Sequence, residues 1–140
     1  MRPPIEILAN YLNLARAAQR RQQPQVRDRA LLLAGVIAAQ IELAPIAAAC
    51  REQILAHNAR HLVRQWPTIG EALAEEEFQT LVNQLSTRYG LERVEQMVER
   101  LDIDAQIDRA DFASDGEFAA VLLGTTWDDL VDRFDAGFDD

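Results

Sequence analysis

His57 and His61 are the only histidines in the chain. Their H-x3-H spacing puts both imidazoles on one face of a helix, a geometry that can hold zinc. Cys50 shares that face in projection but lies seven residues before His57, about 10.5 Å along a helix axis at 1.5 Å per residue. One ion cannot reach both, so a third ligand would have to be a carboxylate from another element. No Glu-x-x-His pair accompanies them, which leaves a di-iron carboxylate centre without its ligand set. The simpler reading puts His57 beside the carbonyls of a helix end and leaves His61 exposed. It is preferred here, and no metal or other cofactor is expected. A metal-dependent protein working through His57 and His61 stands as the third functional alternative.

Nucleophilic chemistry has less support. Ser86 and Ser114 are the only serines; neither lies in G-x-S-x-G and neither has a local histidine. An apolar neighbourhood would keep the Cys50 thiol protonated and inert. All 14 basic residues are arginine, so a Schiff-base lysine, a P-loop lysine and a kinase-type phosphate lysine are all missing. The glycines, at 35, 70, 90, 116, 124 and 137, are too scattered for a phosphate-cradling loop. Asp111-Phe-Ala-Ser-Asp115-Gly116 opens like an EF-hand loop, but Ala113 stands at its third position and Leu122 at its twelfth, where a bidentate glutamate is required. The expectation is a protein that is not an enzyme.

Charge is the stronger signal. The chain of 140 residues has a net charge of −9, distributed very unevenly. Residues 1–66 carry nine arginines against four acids, 67–101 three against seven, and 102–140 two against twelve. Arg16, Arg20, Arg21, Arg27 and Arg29 cluster around the first inter-helix turn with only Asp28 opposing them. Guanidinium forks match phosphate oxygens bidentately, yet the overall negative charge and the lack of interleaved aromatics disfavour nucleic acid. At the other end, Trp127, Leu130, Val131, Phe134 and Phe138 form one apolar stripe opposite Asp128, Asp129, Asp132 and Asp135. Such a helix could lie in a groove on a partner, or the stripe could close the protein's own core, since a tail with so many exposed apolar groups would aggregate.

The elements that position these residues read as helices throughout, with no sustained two-residue alternation. Pro3 and Pro4 open a first helix with Ile5, Leu8, Tyr11, Leu12 and Ala15 on one face, running to about Gln22. A second, from about Val26 to Leu43, is apolar on most sides and therefore central. Gly35, Ala38 and Ala47 are small enough for two antiparallel helices to pack closely. Pro45 opens a third helix with Ile46, Cys50, Ile54 and His57 on one stripe. It breaks near Asn58, a candidate left-handed cap, before a short helix from about Arg60 to Trp66. Thr68-Ile-Gly-Glu71 is a capping box starting a region that kinks near 74–76 and continues through Phe78, Leu81, Val82, Leu85 and Tyr89. Gly90 is expected to terminate that helix. Leu91, Val94, Met97, Val98 and Leu101 make one more, and Phe118, Val121 and Leu122 a short helix ending at Gly124, with Thr126 as the next N-cap.

The lone cysteine excludes an intrachain disulfide. The apolar stretch from Ala30 to Cys50 is interrupted by Gln40, Glu42 and Pro45, leaving Ala30 to Ala39 as the longest clean run, well short of the roughly 20 residues of a membrane span. The expected fold is all-α: a compact helical bundle of five to six helices as a core domain, 1–101. An acidic C-terminal segment, 102–140, would carry one or two short helices and lie on the core or on a partner. The expected function is that of a small cytoplasmic, non-catalytic interaction or adaptor protein. It would bind a protein partner or form a homodimer, with no membrane contact. Trp127, Leu130, Phe134 and Phe138 would anchor the partner, and Arg16, Arg20, Arg21, Arg27 and Arg29 would form the basic surface. The alternative is a nucleic-acid-associated regulator whose arginine patch is screened by the acidic tail.

Overall fold

The computed structural model describes residues 3–100 and 107–135. Among them every regular element is helical. Helices α1 (Pro4–Arg20), α2 (Pro24–Gln40) and α3 (Ala44–His57) each carry a proline in the first turn, where its missing N–H has no intrahelical partner to lose. Three-residue turns join them, so consecutive helices fold back as antiparallel hairpins. Both turns use the same device. Gln22 and Glu42 take φ of 57° and 64°, and the next amide donates back across the helix end, Gln23 to the Ala18 carbonyl and Leu43 to that of Ala38, both at 2.8 Å. This is a left-handed helix stop without glycine. It corrects the sequence boundaries: α1 and α2 stop two or three residues earlier than their apolar periodicity suggests, and α2 starts at Pro24 itself.

Helix α2 is the central rod, as its all-round apolar character predicts. Ala30 through Val36 are buried without interruption, and α1, α3, α4 (Ile69–Ala72) and α5 (Glu76–Arg88) surround it. Gly35 is what lets Ile69, and with it Cys50 of α3, come close. A β-carbon there would sit 2.5 Å from Ile69 Cδ1 and 3.3 Å from Cys50 Cβ.

After α3 the chain breaks at Asn58, which is extended (φ −131°, ψ 90°) rather than left-handed, and the expected short helix is a single 3-10 turn, Leu62–Gln65. Thr68 caps α4 (Ile69–Ala72) by accepting from the Glu71 amide at 3.0 Å. The expected kink is a full break before α5 (Glu76–Arg88). Phe78 is completely buried, its ring edge-on to Trp66 with centroids 5.5 Å apart. Gly90 does not end α5 in a left-handed turn; its carbonyl accepts from Val94 in the first turn of α6 (Leu91–Arg100). Helix α6 lies against α1. There the Tyr11 hydroxyl donates to the Tyr89 carbonyl at 2.8 Å, joining residues far apart in sequence inside the core.

Ser114 caps α7 (Asp115–Leu122) and Thr126 caps α8 (Trp127–Leu130), each accepting from the amide three residues on. Gly124, at φ 83°, makes the stop between them, with the Thr125 amide donating to the Ala120 carbonyl. The chain continues through a π-turn, Val131–Asp135. Helix α7 packs on α1 and α3, and Phe118, Leu122 and Leu130 belong to the same apolar core as Leu8, Leu12 and Leu31. These three large side chains around the α7–α8 turn thus work inside the fold. The expected boundary at 101 and the residue Phe138 lie outside the described residues. None of the described helices is long and apolar enough to cross a membrane.

Candidate functional site

The five arginines singled out in the sequence go to different tasks. Arg29 donates from Nη1 to the Tyr89 hydroxyl at 3.2 Å, tying α2 to the end of α5. Arg21 is exposed on the first turn. Arg16, Arg20 and Arg27 line one cavity of about 450 Å³ between α1, α2, the Gln53 side of α3 and the end of α7. Its inner wall is apolar, with Leu12, Leu31 and Leu122; its polar groups are the three arginines, Gln19 and Gln53, and no carboxylate among the described residues lines it.

Within that cavity Arg27 is held rigidly. It donates from Nε to Gln19 at 3.2 Å, from Nη2 to Gln53 at 3.3 Å and from Nη1 to Asp28 at 3.3 Å. Arg16 is different: its Nη1 is buried with no hydrogen-bond acceptor. Burial pulls its guanidinium pKa down, and the neighbouring Arg20 charge pulls it further. Among the described residues, neither Arg16 nor Arg20 forms an ion pair. The ion pairs of the described part of the tail lie elsewhere, Arg109 with Asp115 at 2.6 Å and Arg133 with Glu52.

Behind Arg27, buried Asp28 also accepts from His57 Nδ1 at 2.5 Å, so one carboxylate fastens the start of α2 to the end of α3. His61 caps the 3-10 turn, its Nδ1 accepting from the Val63 amide at 3.0 Å. Burial lowers the His61 pKa, and the Asp28 charge partly opposes that shift. The Nδ1 atoms of both histidines are therefore engaged within the fold, and among the described residues no three His, Cys, Asp or Glu side chains gather as a metal site. Cys50 is fully enclosed, its thiol pushed up to about 12 by desolvation.

The C-terminal stripe divides between core and surface. Leu130, expected as a partner anchor, is a core residue with 1% exposure, because α8 turns it inward against the bundle. Trp127 is half-buried over Gly116. Among the described residues of the stripe Phe134 alone lines a surface opening, a groove of about 690 Å³ whose floor is Ala44, Ala48 and Leu55 of α3 and whose far side is Pro67 and Gly70. Arg133 stacks over Phe134, 5.0 Å from the ring centroid, and pairs with Glu52 on the groove's edge. Glu42, Glu71 and Arg51 complete the rim. Sequence reasoning missed this groove, although Ala44, Ala48, Arg51 and Leu55 recur every three or four residues on the face of α3 away from Ile46, Cys50 and Ile54.

Comparison with protein-family models, with curated proteins and with solved structures yields no match.

Proposed function

We propose that this protein is a non-catalytic interaction or adaptor module that docks an apolar segment of a protein partner, or of a second copy of itself. The alanine-floored groove beside Phe134 is the contact face. The observation that carries this reading is the groove itself, about 690 Å³ of largely apolar space open on the surface of α3. A soluble fold gains nothing from leaving such space unfilled, and grooves of this kind take amphipathic segments. The rim carries Glu42, Glu52 and Glu71 against Arg51 and the Arg133 that pairs with Glu52, a net negative edge that favours a segment with basic flanks. The role proposed for the aromatic stripe is thereby concentrated on Phe134, supported by Trp127 behind it. The basic face around Arg16, Arg20 and Arg27 is a second recognition surface.

A groove-filling substitution, Ala48→Trp, tests the reading. Partners captured by the wild type are expected to be lost by the variant and by Phe134→Ala. If the partner is a second copy, the dimer seen in sedimentation is expected to dissociate. Circular dichroism and the melting temperature should stay close to wild type. Unchanged partners and unchanged mass in a folded Ala48→Trp variant would overturn it.

A further inference from the structure

The cavity bordered by Arg16, Arg20 and Arg27 has features that a flat docking face does not need. It is concave, of a size that suits a small organic molecule, and it places like charges together. In a chain of net charge −9, two arginines with no carboxylate partner among the described residues converge on one apolar-walled recess. The recess is unfavourable for Arg16 on two counts: its Nη1 is buried without an acceptor, and Arg20 repels it. An oxyanion held by the atoms of Arg16 and Arg20 that line the recess would relieve the repulsion.

Charge counting narrows the ligand. Asp28 offsets Arg27, leaving Arg16 and Arg20 uncompensated among the described residues. A phosphate monoester dianion balances that pair, whereas a single carboxylate leaves one charge unmet. Arg27 adds a fixed donor. Gln19, Asp28 and Gln53 occupy three of its N–H groups, and a guanidinium has five, so two remain on an already immobilised fork. Planar, bidentate groups of this kind are the usual recognition elements for phosphate. The wall of Leu12, Leu31 and Leu122 offers nothing to a bare inorganic ion but suits an organic body attached to one.

We infer that this cavity binds a small phosphomonoester, its phosphate between Arg16 and Arg20 with Arg27 as third donor and its apolar body against Leu12, Leu31 and Leu122. The inference narrows the basic recognition surface to a small-molecule site. It does not depend on the groove, with which the cavity shares no lining residue.

Isothermal titration calorimetry of the full chain at constant ionic strength tests it, with phenyl phosphate, inorganic phosphate and benzoate as probes. Phenyl phosphate is expected to bind saturably at one site, about tenfold or more tighter than inorganic phosphate because of the apolar wall, and tighter than benzoate because of the second negative charge. Arg16→Gln and Arg20→Gln should each weaken it about tenfold or more, with melting temperatures at or above wild type since a repulsion is removed. Arg21→Gln, outside the cavity, should bind as wild type does. No saturable binding of phenyl phosphate would overturn the proposal, as would equal weakening by Arg16→Gln and Arg21→Gln, the mark of diffuse attraction. Equal affinity for phenyl and inorganic phosphate would overturn the organic body. Ala48→Trp should retain phenyl phosphate binding, so a failed groove and a failed cavity give different results.

Discussion

The indole of Trp127 lies flat on Gly116, so close that a β-carbon there would come within 2.6 Å of Cε3 and Cζ3. Two consecutive short helices, α7 and α8, are thereby locked at one angle, and that angle sends Leu130 into the core. Gly116→Ala is expected to destabilise by about 1–3 kcal/mol, the usual cost of overpacking. In a Trp66→Phe background the fluorescence of Trp127 should shift to the red as the ring is lifted toward water. Chemical denaturation and emission spectra check both.

The left-handed residues Gln22 and Glu42 give the opposite sign. A side chain at positive φ is strained relative to glycine, and both residues are at helix stops. Gln22→Gly and Glu42→Gly should each stabilise by about 0.5–1 kcal/mol, whereas Gln22→Ala should not. Urea midpoints decide.

Acid sensitivity should pass partly through His61. Its folded pKa lies below the ordinary histidine value because it is buried, so the unfolded chain binds the proton more readily. Stability from this group is present above the unfolded pKa, about 6.5, and is lost as pH falls toward the folded one. Protonation would also remove the acceptor that caps Val63. His61→Asn keeps an acceptor without the titration. Between pH 7 and 5 the wild type should lose more stability than this variant, as measured by parallel urea unfolding.

Cys50 reports global opening. With the thiol enclosed and its pKa raised to about 12, a disulfide reagent at pH 8 should modify the native protein only as fast as it unfolds. Addition of denaturant should release the site at once. Rapid native labelling would contradict the packing of α2 against α3.

The C-terminal helices are structural as well as acidic. Leu130→Ala should cost about 2–5 kcal/mol, the range for emptying a buried leucine site. A variant ending at Leu101 loses Phe118, Leu122 and Leu130 together, each worth about 1.5–3 kcal/mol of burial. That approaches the whole stability of a domain this size, so the truncated chain should lack cooperative thermal unfolding.

Helix content, the central place of α2 and the Thr68, Thr126 and Gly124 signals were legible because apolar periodicity and capping chemistry are local. The stops at Gln22 and Glu42 were not, since neither residue type favours a left-handed conformation and only tertiary packing holds it there. Clustering in sequence placed Arg16, Arg20 and Arg27 together correctly but could not reveal that Arg29 turns away to Tyr89. The partnership of Asp28 with His57, and the contributions of Gln19 and Gln53, depend on α1, α2 and α3 meeting; no sequence spacing encodes them. The groove on α3 left a readable trace in its second small-residue face. Alanine, however, serves core and surface alike, so the trace does not identify itself.

The placement of Leu130 also constrains how the molecule is made. As the polypeptide emerges from the ribosome, α1, α2 and α3 can pair early through their short turns, yet the flank that receives Phe118 and Leu130 stays bare until translation has passed those positions. For that interval the nascent protein presents wet leucines and alanines to its surroundings, and its last helices act as the closing step of assembly.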